Sequence, residues 1–105
     1  MERIYNKLVR DNIPNIIKSK GETPVTRILS EDEYKNELEK KLYEEYKEVI
    51  EASGSDRIEE LADMLEIINA LAKIESKTLD NVILVAEQKN EKRGAFNEKI
   101  FLFKG

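Results

Sequence analysis

The chain has 105 residues, of which 22 are acidic and 18 basic, and its net charge is −4. It contains neither cysteine nor histidine, which excludes disulfides, thiolate nucleophiles, histidine general bases and zinc sites of the usual type. Hydrophobic residues make up 40 % and charged residues 38 %, so we expect one helix-rich globular domain over residues 1–105. The first residues show no long apolar run, from which we expect a cytoplasmic protein without a signal peptide or membrane span. The acidic balance argues against binding to nucleic-acid polymers.

The N-terminal segment predicts two short elements. Residues 1–9 alternate weakly in polarity and predict a short strand. A short helix is expected to begin near Pro14, because proline is favoured in the first turn of a helix, and to run to Lys20, where Gly21 ends it. Residues 22–26 then predict a loop.

Two longer helices joined by a tight turn are predicted next. The first covers 30–52 and the second covers 56–75, with the turn at 53–55 between them. Each opens with a capping box, in which a polar side chain and an acid three residues later satisfy the first backbone N–H groups: Ser30 with Glu33, and Asp56 with Glu59. Apolar residues surround most of the second helix, so it must be covered on more than one side.

A third helix and a C-terminal strand complete the predicted fold. Thr78 can cap a helix that ends at Gly94, with these residues facing inward: Leu79, Val82, Ile83 and Ala86. The tail over 96–103 is rich in aromatic and β-branched residues and could pair with residues 3–9. The expected architecture is therefore all-α: a helical bundle built on an antiparallel hairpin and a third helix, with a short terminal β-hairpin, and completed by oligomerisation.

Two acidic motifs flank the turn of the predicted hairpin. Residues three apart share a face of a helix, so Glu45 with Glu48, and Glu60 with Asp63, each present two carboxylates on one side. Residues equidistant from Gly54 lie at the same height in an antiparallel pair, which places Glu48 opposite Glu60 and Glu45 opposite Asp63. Four carboxylates at an interhelical distance of about 8–10 Å repel one another unless a cation binds them. The pattern predicts a site for Mg²⁺, with Mn²⁺ as a substitute.

Charge and apolar periodicity support this site. Residues 42–72 contain nine acids and two bases, a net −7, so the rest of the chain sums to +3. Glu45 takes the place of an apolar residue in the stripe of the first helix, and Glu60 does so in the second. Ionised side chains normally avoid such positions, which favours a function for them over simple solvation.

Basic residues near the end of the third helix suggest what the metal site acts on. Its inner stripe continues into Lys89 and Arg93. Such cations complement a helix C-terminus, but that effect is worth only about 0.3–1 kcal/mol and does not explain inward placement. Lysine and arginine beside a carboxylate-held Mg²⁺ would instead neutralise a polyphosphate.

Together, these motifs resemble the MazG-like all-α nucleoside triphosphate pyrophosphohydrolases, a superfamily that includes phosphoribosyl-ATP pyrophosphohydrolase and dimeric dUTPases. The resemblance rests on three spacings (Glu44-Glu45-x-x-Glu48, Glu60-x-x-Asp63 and Lys89-x-x-x-Arg93) and on the segments 7–14 and 92–96, and it spans nearly the whole chain. It implies Mg²⁺-dependent hydrolysis of a nucleoside triphosphate between its α- and β-phosphates, in house-cleaning of nucleotides outside the standard set.

The resemblance also implies roles for individual residues. Four of them would bind Mg²⁺: Glu45, Glu48, Glu60 and Asp63. Glu44 would assist, and Lys89 and Arg93 would contact phosphate. It further implies homodimers or tetramers with sites near subunit interfaces. Without histidine, the candidate general bases are Glu44, Glu45 and Glu48, and the sequence does not choose among them.

Two other classes fit parts of the pattern. A non-enzymatic helical interaction module, such as an antitoxin-like or coiled-coil partner, would explain the amphipathic helices but not the aligned acids. A carboxylate-bridged di-iron protein would use acidic helices but normally needs Glu-x-x-His pairs, and this chain has no histidine.

Overall fold

A computed structural model describes residues 3–105 of the chain. These residues form four α-helices, in the order α1 Ile13–Ser19, α2 Glu31–Glu51, α3 Gly54–Ile74 and α4 Leu79–Arg93. No strand is present within 3–105. The predicted all-α fold is therefore confirmed, and the helices lie within a few residues of their expected positions.

Local capping explains where α2 and α4 begin. The Ser30 hydroxyl accepts a hydrogen bond from the Glu33 backbone N–H at 3.2 Å, and Glu33 Oε1 accepts one from the Ser30 N–H at 3.1 Å. Thr78 forms the same reciprocal pair with Asn81 at the start of α4. Both caps were expected, because each satisfies N–H groups that have no partner inside the helix.

The start of α3 differs from the prediction. The helix begins at Gly54 with Ser53 as its N-cap, so Asp56 lies in the first turn and does not open a capping box. The reason is Gly54, whose φ of 57° lets the chain reverse before Asp56 is reached. Arg57 stabilises this turn, because its Nε donates hydrogen bonds to the carbonyls of Val49 at 3.1 Å and Ala52 at 3.0 Å, near the end of α2.

Helices α2 and α3 form an antiparallel hairpin that contains the buried core. Among residues 3–105, three are buried: Leu38, Ile67 and Ala72. By contrast, α4 meets α3 over a short stretch only, and Val82 and Ile83, which were expected to face inward, are 38 % and 44 % exposed. The inward stripe predicted for α4 is not seen within this chain, because α4 does not close against the hairpin.

The segments on either side of the helices are irregular. The expected terminal β-hairpin is not observed in the described part of the chain, and residues 1 and 2 of its first strand lie outside that part. Asn6 and Lys99 have φ angles of 46° and 57°, which interrupt an extended conformation in both segments.

The chain has an open shape. Its radius of gyration is 18.0 Å, whereas a compact domain of this length has about 13 Å. Its accessible surface is 9795 Å², against about 6,100 Å² for a folded monomer of this mass. The excess surface includes apolar side chains of α4 and the tail, such as Phe96 at 98 % and Phe103 at 92 % exposure. No helix within residues 3–105 is long and apolar enough to cross a membrane.

Candidate metal centre

Three carboxylates meet in the α2–α3 hairpin. Glu45 projects from α2, and Glu60 and Asp63 project from α3; one oxygen of each lies within 4.8 Å of the other two. We call these three residues the acidic cluster. They come together because the hairpin is antiparallel. The sequence predicted Glu45 opposite Asp63, and Glu48, the fourth predicted ligand, is not one of the three grouped residues.

Two oxygens of the acidic cluster are buried without a hydrogen-bond partner. They are Glu45 Oε1 and Glu60 Oε2. Burying a carboxylate oxygen without a donor or cation is costly, because the group loses its hydration and gains nothing in return. The two oxygens therefore identify a position where a positive charge or a proton is needed.

The pKa values of the carboxyl groups at the cluster also indicate that a positive charge or a proton is favoured there. The pKa of Glu45 is raised to about 8, first by burial, then by its hydrogen bond with Glu60 and by the neighbouring negative charges. The pKa of Glu48 is raised as well, first by its hydrogen bond with Glu60 and then by burial. The pKa of Glu60 is lowered, because its carboxylate can accept hydrogen bonds from Glu45 and Glu48 when these two groups are protonated. The raised pKa values of Glu45 and Glu48 show that full ionisation of these neighbouring carboxyl groups is unfavourable.

The donor set fits a hard divalent cation. Oxygens on opposite sides of an octahedral Mg²⁺ are about 4.2 Å apart, since each Mg–O bond is about 2.1 Å long. Adjacent oxygens around such an ion are about 3.0 Å apart, so the three oxygens of the acidic cluster, which lie within 4.8 Å of one another, would move closer together on binding one ion. All the ligands are carboxylates, the class that Mg²⁺ and Mn²⁺ prefer.

An open groove begins beside the cluster, at the turn end of the hairpin. It has a volume of about 510 Å³ and its lining combines five acids with one apolar residue: Glu48, Glu51, Asp56, Glu59, Glu60 and Ala52. Glu48 is exposed and lies at the junction between this groove and the acidic cluster. A polyanion can approach such a surface only together with cations.

A basic residue that the sequence analysis did not assign also reaches the cluster. Arg10 Nη2 donates to Asp63 Oδ1 at 2.7 Å, and the two side chains are 57 % and 50 % exposed. These residues are 53 positions apart, so no local spacing predicts their contact. The available signal was the excess of basic residues outside the hairpin.

The other predicted site residues lie apart from this cluster. Glu44 is exposed and forms no hydrogen bond or ion pair within residues 3–105. Lys89 and Arg93 are exposed on α4, and within the described residues neither is linked to the acidic cluster by a hydrogen bond or ion pair. Arg93 instead lines a separate hollow of about 320 Å³ with the first residues of the tail. Their role as phosphate ligands stays a prediction.

The chain was also compared with known proteins. No model of a protein family matches it, and no solved structure matches it. A stretch of 50 residues is 50 % identical to a protein of Mycolicibacterium smegmatis described as uncharacterized, and covers 48 % of this chain. The matched region spans about half the length of that relative, 51 %.

Proposed function

We propose that this protein is a Mg²⁺-dependent nucleoside triphosphate pyrophosphohydrolase, formed as a single domain over residues 1–105. It would cleave the bond between the α- and β-phosphates and release a nucleoside monophosphate and pyrophosphate. The observation that carries this proposal is the pair of buried, partnerless oxygens on Glu45 and Glu60. A hairpin that served only to pack would place apolar side chains there.

Each residue of the site has a role in this proposal. Glu45, Glu60 and Asp63 hold the ion, with Glu48 completing the set from the rim of the groove. The bound Mg²⁺ would supply a more acidic water and a polarised phosphate. Glu48 is the best-placed general base, because it is exposed to the groove and can bind the ion through one carboxylate oxygen while the other stays free to accept a proton. It would accept the proton of the attacking water while pyrophosphate leaves.

We also propose that the active protein is a homodimer or tetramer in the cytoplasm. One chain exposes about 3,700 Å² more surface than a compact monomer of its mass, and interfaces between permanent subunits bury about 2,000–5,000 Å² in total. A second copy covering α4 would bury the apolar stripe that this chain leaves exposed, and would complete the bundle. A monomer in sedimentation experiments at micromolar concentration would contradict this assembly.

A second candidate function is a non-enzymatic helical interaction module. The exposed apolar residues of α4 favour it, because these four side chains are between 38 % and 52 % exposed: Val82, Ile83, Leu84 and Val85. Such a surface would suit a partner helix. This candidate does not explain the acidic cluster, and it predicts no catalytic turnover.

The test is product analysis. The purified full chain is incubated with Mg²⁺ and a panel of purine and pyrimidine nucleoside triphosphates, and pyrophosphate and orthophosphate are measured separately. We expect release of pyrophosphate from at least one nucleotide, and loss of this activity in Asp63→Asn. Absence of turnover across the panel, or release of orthophosphate alone, would refute the proposed reaction.

A further inference from the structure

Arg10 is brought to the acidic cluster by a segment without regular structure. Residues 3–10 are irregular, and α1 begins three residues after Arg10. The Arg10 carbonyl accepts a hydrogen bond from the Ile13 N–H at 3.0 Å, which fixes its backbone to the start of α1. Its side chain crosses to α3 and meets Asp63 at 2.7 Å. The contact therefore joins the N-terminal segment to the candidate metal centre.

The Arg10–Asp63 ion pair contributes little to the stability of the fold. Both side chains are at least half exposed, and exposed ion pairs contribute little to stability. One Arg10 nitrogen contacts Asp63, and within residues 3–105 the guanidinium has no other hydrogen-bond acceptor. A guanidinium carries five N–H donors in a planar fork suited to two oxygens of one phosphate, so most of its donors remain free.

The region around the acidic cluster is strongly negative, and this bears on what the free N–H donors of Arg10 can bind. The segment 42–72 carries a net −7, and the adjoining groove is lined by acids. A polyphosphate that enters this region needs more positive charge than one divalent ion supplies. Within the described part of the chain, Arg10 is the basic side chain that forms an ion pair with the acidic cluster.

We infer that Arg10 binds a phosphate group of the substrate at the metal centre. This inference rests on the proposed function and extends it by adding a phosphate ligand from the N-terminal segment. Asp63 holds the guanidinium beside the cluster, and the exposed fork presents its free donors to the incoming polyphosphate.

The test separates metal binding from phosphate binding. Calorimetry measures the binding of Mg²⁺ alone to the full chain. It then measures the binding of the Mg²⁺ complexes of inorganic tripolyphosphate and of α,β-methylene-ATP, whose bridging carbon blocks cleavage. The variants are Arg10→Ala and Arg10→Lys. The matched control is Arg27→Ala, because Arg27 forms a similarly exposed pair with Glu33 at 2.6 Å, at the start of α2 and outside the candidate site.

We expect Arg10→Ala to bind Mg²⁺ at least as tightly as the wild type but to bind both polyphosphates at least tenfold more weakly. The polyphosphate affinity of Arg10→Lys should lie between those of the wild type and Arg10→Ala, since lysine keeps the positive charge but lacks the planar fork of donors. If Arg10→Ala does not fold, Arg10→Lys is compared with the wild type instead. Polyphosphate binding by Arg10→Ala equal to that of Arg27→Ala would overturn the inference and leave the proposed function standing. An equal loss of Mg²⁺ and polyphosphate binding would also overturn it, because Arg10 would then only position Asp63. If the wild type binds neither Mg²⁺ nor polyphosphate, the proposed function fails and the inference fails with it.

Discussion

Glu45 and Glu60 belong to different helices, yet each places one buried carboxylate oxygen where it finds no hydrogen-bond donor. The pKa of Glu45 is raised to about 8, while the pKa of Glu60 is lowered by the hydrogen bonds it accepts. In this pair, Glu45 is the carboxyl group that favours its protonated form and Glu60 is the one that favours its ionised form. A divalent ion bound between the two carboxylates would compensate for the hydration that their buried oxygens lose and would remove the repulsion between their negative charges.

Metal binding should stabilise the fold. A ligand that binds only the folded state at ten times its Kd adds about 1.4 kcal/mol, which corresponds to a rise of roughly 5 °C or more in Tm. We expect millimolar Mg²⁺ or Mn²⁺ to produce such a rise in scanning calorimetry. Asp63→Asn should abolish it and Glu48→Gln should reduce it, whereas Glu66→Gln, at an exposed position of α3, should preserve it. An unchanged wild-type Tm would mean that the cluster does not bind these ions.

Stability without metal should depend on pH in a defined direction. The Glu45 pKa rises from its ordinary value of 4.5 to about 8 in the folded chain, so the folded state holds more protons than the unfolded state between these values. Stability should therefore fall as pH rises from about 4.5 to about 8. The raised pKa of Glu48 acts in the same direction.

Thermal melts in a chelator at pH 5 to 8.5 measure this effect. We expect Tm to decline across the range, by about 4 °C or more if 1 kcal/mol is lost, and the decline to flatten in Glu45→Gln. The lowered pKa of Glu60 acts below pH 4.5, where stability should fall as the pH falls. A wild-type profile with the same slope as Glu45→Gln would show that Glu45 is ordinarily solvated.

The two long helices should respond differently to loss of their N-cap serines. Ser30→Ala removes a side chain that accepts the Glu33 N–H, and we expect it to cost about 1 kcal/mol in urea denaturation. Ser53→Ala removes a side chain that makes no capping hydrogen bond, so its cost should be no more than a few tenths of a kcal/mol. Equal costs would indicate that α3 does not begin as described.

The sequence was sufficient to predict features that depend on short spacings. The caps at Ser30 and Thr78 are such features, because their partners lie three residues away. The meeting of Glu45 with Asp63 follows from symmetry about a tight turn, even though the helix after that turn begins earlier than expected. The prediction that Asp56 caps α3 was wrong. Asp56 and Glu59 have the spacing of a capping box, but the positive φ of Gly54 lets the helix begin two residues earlier.

Features that depend on distant contacts could not be predicted. The pairing of Arg10 with Asp63 joins residues 53 positions apart, through a segment that has no periodicity to orient it. The apolar pattern of α4 predicted an inward face, but periodicity within one helix does not say what packs against it. In this chain Val82 and Ile83 stay exposed.

The proposed phosphate contacts on α4 can be tested by kinetics. Arg93→Ala and Lys89→Ala should lower kcat/KM for triphosphates at least tenfold, which corresponds to about 1.4 kcal/mol of lost transition-state binding. Lys92→Ala is the matched control, since it removes a basic residue from the same last turn of α4. Equal small effects of all three changes would mean that these residues only complement the helix C-terminus.

Diffraction from crystals grown with Mn²⁺ can show whether Glu45, Glu60 and Asp63 hold a divalent ion. Anomalous scattering locates Mn²⁺ without reference to any assumed role. We predict a strong anomalous peak between these three side chains, within coordination distance of an oxygen of each, and no peak there in Asp63→Asn crystals. A wild-type map without a peak at the acidic cluster, at a Mn²⁺ concentration of several millimolar, would mean that these three carboxylates do not bind the ion.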